Sequence, residues 1–213
     1  MSDLGRFQHP GFARAYERVS AEAEQRGVTA HRRRLLAGLV GRVVEIGAGN
    51  GLNFAHYPAE VTEVVAIEPE DQLRVLAERA AARAAVPVRV LAGHVDELPA
   101  PEHAFDAAVA SLVLCSVPDV ASGLAEIRRV LKPGGELRFY EHVRSAGPIR
   151  GTLEDLITPL WKRCAGGCHP NRRIAEAITA AGFEIEQLDR FGFRPVRLAP
   201  ASAHILGRAR NPR

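Results

Sequence analysis

The chain has 213 residues, of which 46% are hydrophobic and 25% charged, so a disordered chain is excluded. This length fits one α/β domain, the three cysteines are too few for a disulfide-built secreted scaffold, and the net charge of +3 is too small to indicate a nucleic-acid binder. No apolar run could span a bilayer and no signal peptide is visible. We therefore expect a soluble, cytoplasmic protein without an integral membrane span.

Two helical patterns open the chain. Residues 12–25 carry apolar side chains at helical spacing, and Thr29 can cap a second helix that runs to Leu39. Beyond them, short β-branched segments alternate with amphipathic ones. We predict strands over 43–47, 61–68, 86–92, 105–114, 136–143, 183–188 and 202–209, and helices over 71–85, 120–131 and 172–181.

This alternation indicates βαβ units, and hence a parallel sheet with right-handed crossovers. The strand over 105–114 is nearly continuous in apolar residues, which is typical of a strand buried on both faces. Ligands of such sheets bind at the carboxyl ends of the strands. The loops that follow the strands are therefore the place to look for a site.

The first of these loops is rich in glycine. Glu45 is followed by glycines at positions 47, 49 and 51, which let the backbone turn sharply and let a ligand approach closely. A dinucleotide fold would space its glycines Gly-x-Gly-x-x-Gly, and an acid beside the loop would repel a pyrophosphate but attract an ammonium group. The loop therefore favours a nucleoside without a pyrophosphate.

Glu68 ends the second predicted strand. A carboxylate at this point can accept both ribose hydroxyls of a nucleoside. Dinucleotide folds share the feature, and a glutamate at a strand end can also be structural. The glycine loop at the right distance from Glu68 is what favours the ribose-binding role.

Four ordered motifs resemble those of the class I S-adenosylmethionine-dependent methyltransferases, over almost the whole chain. They are residues 45–51, 67–69, Leu98-Pro99 with Phe105-Asp106, and 131–137. The resemblance implies an α/β fold: a doubly wound, Rossmann-like sheet of seven mostly parallel strands, with an antiparallel last strand inserted beside the fifth. It also implies a single domain over 1–213, in which a helical lid of residues 1–41 covers a core of residues 42–213.

A second set of residues is similar to the small methyltransferase-like thiol S-methyltransferases. The set comprises residues 111–117, Glu141-His142-Val143, Trp161, Gly167-Cys168 with Arg172, and 203–207. That family carries a hydrophobic N-terminal membrane anchor, and we expect none here. Looser similarity to ubiquinone-type C-methyltransferases and phospholipid N-methyltransferases covers the cofactor half.

The resemblance implies S-adenosyl-L-methionine as cofactor and S-adenosyl-L-homocysteine as product. It assigns Glu45 to the amino group, the glycine loop to the methionine part and Glu68 to the ribose. The full cofactor set is Glu45, Gly47, Ala48, Gly49, Asn53, Glu68, Pro69, His94, Val95, Ser111 and Leu112. At the adenine, His94 replaces the acid of many relatives; its imidazole can accept through one nitrogen, or the backbone of Val95 can act.

For the acceptor we expect a pocket between the ends of the fourth and fifth strands and the N-terminal helix. Phe12, Tyr16 and Cys115 would line it, and the resemblance to the thiol S-methyltransferases adds Trp161, Cys168 and Arg172. Methyl transfer is an in-line displacement that needs alignment more than a nucleophile, so we expect Cys115 to be a small buried residue. His142 is the candidate base or thiolate-orienting group, and Glu141 the other candidate; both can also be structural. We expect no metal, because Cys164 and Cys168 form one widely spaced pair.

The sequence thus predicts a methyltransferase with a small, largely apolar acceptor, and it favours a thiol. The alternatives are C-, O- or N-methylation of a quinol, phenol or lipid amine and, from other classes, a nicotinamide-dependent oxidoreductase or a non-catalytic cofactor-binding protein. The arginine-rich runs 32–34 and 190–213 fit a solvated face or peripheral contact with an anionic membrane. Without interleaved aromatic residues they do not indicate nucleic acid.

Overall fold

Strands and helices alternate along the chain in the structure, which is a computed structural model describing residues 4–197 and 199–212, without the side chain of Cys164. The helices are α1 (Pro10–Ala23), α2 (Thr29–Leu36), α3 (Asp71–Ala81), α4 (Val120–Val130), α5 (Pro148–Cys164) and α6 (Ile174–Ala180). The strands are β1 (Gly41–Ile46), β2 (Val61–Ile67), β3 (Val88–Leu91), β4 (Phe105–Ser111), β5 (Leu131–Val143), β6 (Glu184–Phe193) and β7 (Ser202–Arg210).

The seven strands form one sheet in the order β3-β2-β1-β4-β5-β7-β6. β1 pairs in parallel with β2 and β4, and β7 runs antiparallel to both β5 and β6. This confirms the predicted seven-stranded sheet and the insertion of the last strand beside the fifth. The strand order reverses between β1 and β4, so a crevice opens at their carboxyl ends.

Helices cover both faces of the sheet. On one face, Leu124 and Ile127 of α4 and Ile178 of α6 belong to a buried apolar cluster. On the other face, a second cluster includes Leu35 of α2 and Ala77 of α3. The middle of β4 is buried against both, as its apolar run predicted.

The structure departs from the predicted elements most in β5, β6 and α5. β6 runs to Phe193, five residues beyond the predicted end at residue 188, while α2 and α3 end three and four residues early. β5 begins at Leu131 rather than at residue 136. Its register with β4 slips from Phe105↔Leu131 to Ala107↔Glu136, so residues 132–135, between the predicted helix and strand, form a bulge inside the strand. The 17-residue helix α5 was not predicted at all. No helix in residues 4–197 or 199–212 is both long and apolar enough to cross a bilayer.

Candidate active site

A cavity of about 410 Å³ opens at the carboxyl ends of β1, β2 and β4, and its volume suits a small-molecule ligand. Three groups of residues form its wall: the N-terminal segment, the loops after the strands, and a loop that follows α5. They include Arg6, Phe7, His9, Phe12, Tyr16, Gly47, Gly49, Glu68, Pro69, Glu70, His94, Val95, Ser111, Leu112, Val113, Ser116, Val117, Gly166, Gly167 and His169. Eight of the eleven predicted cofactor residues thus meet at one cavity.

The glycine loop leaves no room for side chains. Gly47 has a φ of +62°, and a Cβ there would lie 2.4 Å from Cγ2 of Val113. Gly49 has a φ of +57°, and a Cβ would lie 3.3 Å from the hydroxyl of Tyr16. The wall of the cavity at these two positions is therefore bare backbone, which fits the close approach of a nucleoside cofactor.

Glu68 joins two loops of the cavity wall. Its buried carboxylate accepts hydrogen bonds from the backbone N–H of Gly49 at 2.7 Å and of Glu70 at 3.0 Å. Burial raises the pKa of Glu68 to about 7, although both backbone bonds oppose that shift. Since a carboxylate has about four acceptor sites, Glu68 can still accept from ribose hydroxyls.

Three of the predicted cofactor residues, Glu45, Ala48 and Asn53, do not line the cavity. The buried carboxylate of Glu45 accepts from Nδ2 of Asn53 at 2.8 Å and from the hydroxyl of Tyr57 at 2.6 Å. Burial raises the pKa of Glu45 to about 7, while these two hydrogen bonds and the charge of Arg32 lower it. Glu45 and Asn53 therefore lie on the side of the glycine loop away from the cavity, where their mutual hydrogen bond supports the loop.

At the adenine end expected from the sequence, His94 packs on an aromatic ring. The rings of His94 and Phe7 are stacked with centroids 5.1 Å apart. The backbone N–H of Asp96 donates to Nδ1 of His94 at 3.3 Å, so the ring proton lies on Nε2, which offers a ligand a donor rather than the expected acceptor. Phe7 was missed at the sequence level because it lies outside the predicted helix, on a single 3₁₀ turn (Gly5–Phe7).

Glu141 shapes the acceptor end of the cavity without reaching it. Its fully buried carboxylate accepts from the backbone N–H groups of Val113, Leu114 and Cys115 at 3.0–3.1 Å. These bonds hold the turn after β4, where Leu112 has a φ of +58°. Burial raises the pKa of Glu141 well above its ordinary value, with the three N–H donors acting the other way.

Four other predicted acceptor residues lie outside the cavity wall. Cys115 is buried behind it, and Arg172 donates through Nη1 to the carbonyl oxygen of Leu114 at 2.7 Å. Cys168 lies with Sγ 3.6 Å from Nδ1 of His142, and Trp161 is on the surface of α5. Of the predicted acceptor set, only Phe12 and Tyr16 line the cavity.

His142, the predicted base, points away from the cavity. Its ring stacks on His204 of β7 with centroids 5.3 Å apart. Successive residues of a strand face opposite ways, so His142 and Glu141 cannot both approach the same site. Burial lowers the pKa of His142, whereas Glu154 and Glu141 raise it.

His169, which was not singled out from the sequence, does line the cavity. Its Nδ1 is buried and has no hydrogen-bond partner among the residues described, while its backbone N–H donates to the carbonyl oxygen of Cys115 at 2.8 Å. Burial lowers the pKa of His169, Arg172 adds to the effect, and the carbonyls of Gly167 and Cys115 oppose it. The ring is therefore neutral near pH 7 and can accept a proton.

Arg32 does not belong to a surface run of arginines. It is buried, and it donates through Nε to Glu24 at 2.7 Å and through Nη1 to Asn53 at 2.8 Å. Its neighbour Arg34 pairs with Asp189. In the C-terminal run, Arg208 and Arg210 both pair with Glu186, and Arg213 lies outside the described residues.

Of the two cysteines considered as metal ligands, Cys164 and Cys168, the side chain of Cys164 lies outside the described part of the chain. Among the side chains that are described, no group of three or more His, Cys, Asp or Glu residues could hold a metal ion.

Known proteins with similar sequences include several methyltransferases. A family profile described as a methyltransferase domain matches residues 44–139. Thiol S-methyltransferase TMT1B of Rattus norvegicus is 32% identical over 171 residues, which are 78% of this chain and 69% of the relative. Demethylmenaquinone methyltransferase of Renibacterium salmoninarum is 32% identical over 145 residues, which are 65% of this chain and 60% of the relative.

The fold is also found in solved structures. A SAM-dependent methyltransferase of Thermotoga maritima has a TM-score of 0.71 and 22% identity, covering 94% of this chain and 96% of that one. The cavity geometry, the profile and the TMT1B relative agree with the resemblance carried by the motifs. The chain belongs to the S-adenosylmethionine-dependent methyltransferases, in the family of the thiol S-methyltransferases.

Proposed function

We propose that this methyltransferase transfers its methyl group to the sulfur of a small, largely apolar thiol. The observation that carries the proposal is the chemistry of the acceptor end of the cavity. Val113, Val117 and Phe12 make it apolar, and His169 gives it one half-buried imidazole whose Nδ1 has no hydrogen-bond partner among the described residues. Among the described residues, the carboxylates of the cavity wall are Glu68 and Glu70, both in the loop after β2.

S-adenosylmethionine supplies a methyl group on a sulfonium, which is already a good leaving group. The residues of this chain have to bind it, orient the acceptor and exclude water. Gly47 and Gly49 offer bare backbone to the methionine part, and Glu68 offers its carboxylate to the ribose. Phe7 and His94 form a flat stacked wall for the adenine.

The acceptor thiol must lose its proton to become a strong nucleophile. A free thiol ionises near pH ~8.5, so a weak base suffices to take the proton. His169 is neutral near pH 7 because its pKa is lowered by burial, and we assign it this role in place of His142. The thiol S-methyltransferase TMT1B relative supports the same acceptor class.

Alcohols and carbon acids would demand a stronger base than an imidazole. A protonated amine would be favoured by a carboxylate close to the acceptor, and the described acceptor end offers none. These acceptors are therefore the alternatives against which the thiol is tested.

The test is a methyl-transfer assay with labelled S-adenosylmethionine over matched acceptors: an aliphatic thiol, an aromatic thiol, the corresponding phenol, a quinol and a lipid amine. We expect thioether products, with apolar thiols preferred over charged ones. Transfer to phenols, quinols or amines with none to thiols would overturn the assignment. Cofactor binding without transfer to any acceptor would also contradict it.

A further inference from the structure

Helix α5 turns its apolar side to solvent. Six of its large apolar side chains are between 41% and 88% exposed, namely Ile149, Leu153, Leu156, Ile157, Leu160 and Trp161. The spacing 149, 153, 156, 160 places four of them in one stripe along the helix, with Ile157 at its edge, whereas Trp161 lies about 100° round the helix from it. Below we call the five residues other than Trp161 the α5 stripe. Such a continuous exposed apolar patch marks an interaction site.

The opposite side of α5 is small and polar, and it is the side that packs on the protein. Gly151, Glu154 and Thr158 are buried there, at intervals of three and four residues. The carboxylate of Glu154 accepts from the backbone N–H of Ser145 at 2.7 Å and from its hydroxyl at 2.5 Å. These buried bonds fix the rotation of the helix, so the stripe is held outward.

The charges beside the stripe are mainly positive. Arg150 and Arg163 flank it, and Lys162 lies in the same last turn. Arg150 is 4.0 Å from the buried Glu154, and the exposed Asp155 is already paired with Arg144 at 2.9 Å and with Asn171 at 3.0 Å. The surface around the stripe therefore favours a partner that is apolar in its interior and anionic at its edge.

We propose that α5 lies in the interface of an anionic lipid bilayer, with the α5 stripe among the acyl chains and its basic residues among the headgroups. The single tryptophan of the chain, Trp161, lies beside the stripe and is partly exposed, and tryptophan is favoured at this depth of a membrane. A second copy of the chain fits less well. An antiparallel pairing of two α5 helices would bring Arg150 of one copy towards Arg163 of the other.

The docked helix would lie next to the cavity. Two residues after α5 ends, the chain reaches Gly166 and Gly167, which line the cavity together with His169. A lipid surface under α5 would therefore put an apolar acceptor close to the acceptor end. This last step depends on the proposed function, whereas the docking of α5 does not.

The docking is tested by co-sedimentation of the full chain with vesicles of phosphatidylcholine alone or with phosphatidylglycerol in equal parts. We expect at least about tenfold stronger binding to the anionic vesicles. The fluorescence of Trp161, which has no other tryptophan beside it, should shift to the blue on binding and be quenched by lipids brominated in the upper acyl chain.

Two pairs of double variants separate the apolar and the basic contributions. Leu156→Ser with Leu160→Ser should weaken binding about tenfold or more, whereas Val40→Ser with Val75→Ser, also exposed apolar residues, should leave it unchanged. Lys162→Glu with Arg163→Glu should remove the preference for anionic vesicles. Arg79→Glu with Arg83→Glu changes the net charge by the same amount, at one exposed position in α3 and one just after it. This double variant should keep the preference for anionic vesicles.

Absence of both vesicle binding and a blue shift would overturn the proposal, as would equal losses in the control variants. A dimer in sedimentation equilibrium that the Leu156→Ser, Leu160→Ser change dissolves, without vesicle binding, would assign the stripe to a second copy instead. Methylation of a short, water-soluble thiol should not change in this double variant. That assay keeps a failure of the proposed function distinct from a failure of the docking.

Discussion

Nη1 of Arg32 donates to Oδ1 of Asn53 at 2.8 Å, which ties α2 to the residue that also holds the carboxylate of Glu45. The same guanidinium donates to Glu24, between α1 and α2. This charged network thereby joins α2, and the end of α1 beside Glu24, to the residues that support the glycine loop.

The first prediction concerns this network. Arg32→Met removes a buried cation and leaves Glu24 and Asn53 without it, which should cost about 3 kcal/mol of unfolding free energy. Cofactor affinity should fall as well, because Phe12 and Tyr16 lose the support that places them at the cavity. Urea unfolding and calorimetry with S-adenosylhomocysteine measure the two effects. Arg33→Met, at the exposed neighbouring position, should cost less than about 0.5 kcal/mol of unfolding free energy. Equal losses in the two variants would show that the buried contacts of Arg32 do not hold the N-terminal helices in place.

The second prediction concerns the ribose. Glu68→Gln removes the charge that the proposed hydrogen bonds use, so affinity for S-adenosylhomocysteine should fall by about 1–3 kcal/mol. Glu60→Gln, on an exposed residue, should bind as the unaltered protein does. Since Glu68 also accepts from Gly49 and Glu70, melting is recorded in parallel. A lower melting temperature with unchanged affinity would leave Glu68 a purely structural role.

The third prediction compares His169 and His142 as candidates for the base that takes the proton of the thiol. His169→Gln should lower kcat/KM for a thiol by about 10²–10⁴ at neutral pH, since that is the usual contribution of a general base. Activity of this variant should then rise with pH towards the pKa of the thiol itself, near ~8.5. His142→Gln should keep the original pH profile. Loss of activity in His142→Gln with none in His169→Gln would return the role to His142.

The fourth prediction concerns stability and pH. Burial raises the pKa of Glu45 from 4.5 to about 7, so the folded state binds a proton more tightly than the unfolded state does. The contribution of Glu45 to stability is therefore greatest below pH 4.5 and is lost as pH rises to about 7. Buried histidines with lowered pKa values act with the opposite sign below pH 6.5, so the effect has to be measured as a difference.

The matched variant is Glu45→Gln. Its unfolding free energy minus that of the unaltered protein should increase between pH 4.5 and 7, by up to about 3 kcal/mol, and then level off. Urea titrations at steps of pH give this curve. A difference that stays flat over the window would show that Glu45 titrates as an ordinary glutamate.

Most of the sheet could be predicted because the order of apolar and polar residues in each strand matches the burial of its two faces. The apolar run of β4 and the glycines after β1 are local signals, and both led to the right structure. Helix α5 carries no such signal, because its apolar residues do not face a core. In α5 the buried side is Gly151, Glu154 and Thr158, and Pro159 lies inside the helix.

The cofactor end of the site followed from motifs, whereas the acceptor end did not. Glu141 and His142 lie at the carboxyl end of β5, as expected, but strand alternation turns Glu141 to the backbone of the loop after β4 and His142 to His204. His169 lies in a loop with no periodic pattern. The signal that could have found it is the pair Gly166-Gly167, whose φ values of +57° and +83° allow the sharp turn before it.

The place of β7 between β5 and β6 has a consequence for synthesis on the ribosome. β6 is made before β7 yet, among the described strands, pairs only with β7, so it has no strand to dock on when it emerges. The edge of β5, with Leu137 and Phe139, also waits uncovered for β7. The nascent chain therefore carries two unpaired strand edges until residues 202–210 have left the exit tunnel, and this interval is when it is most exposed to aggregation and most dependent on chaperones.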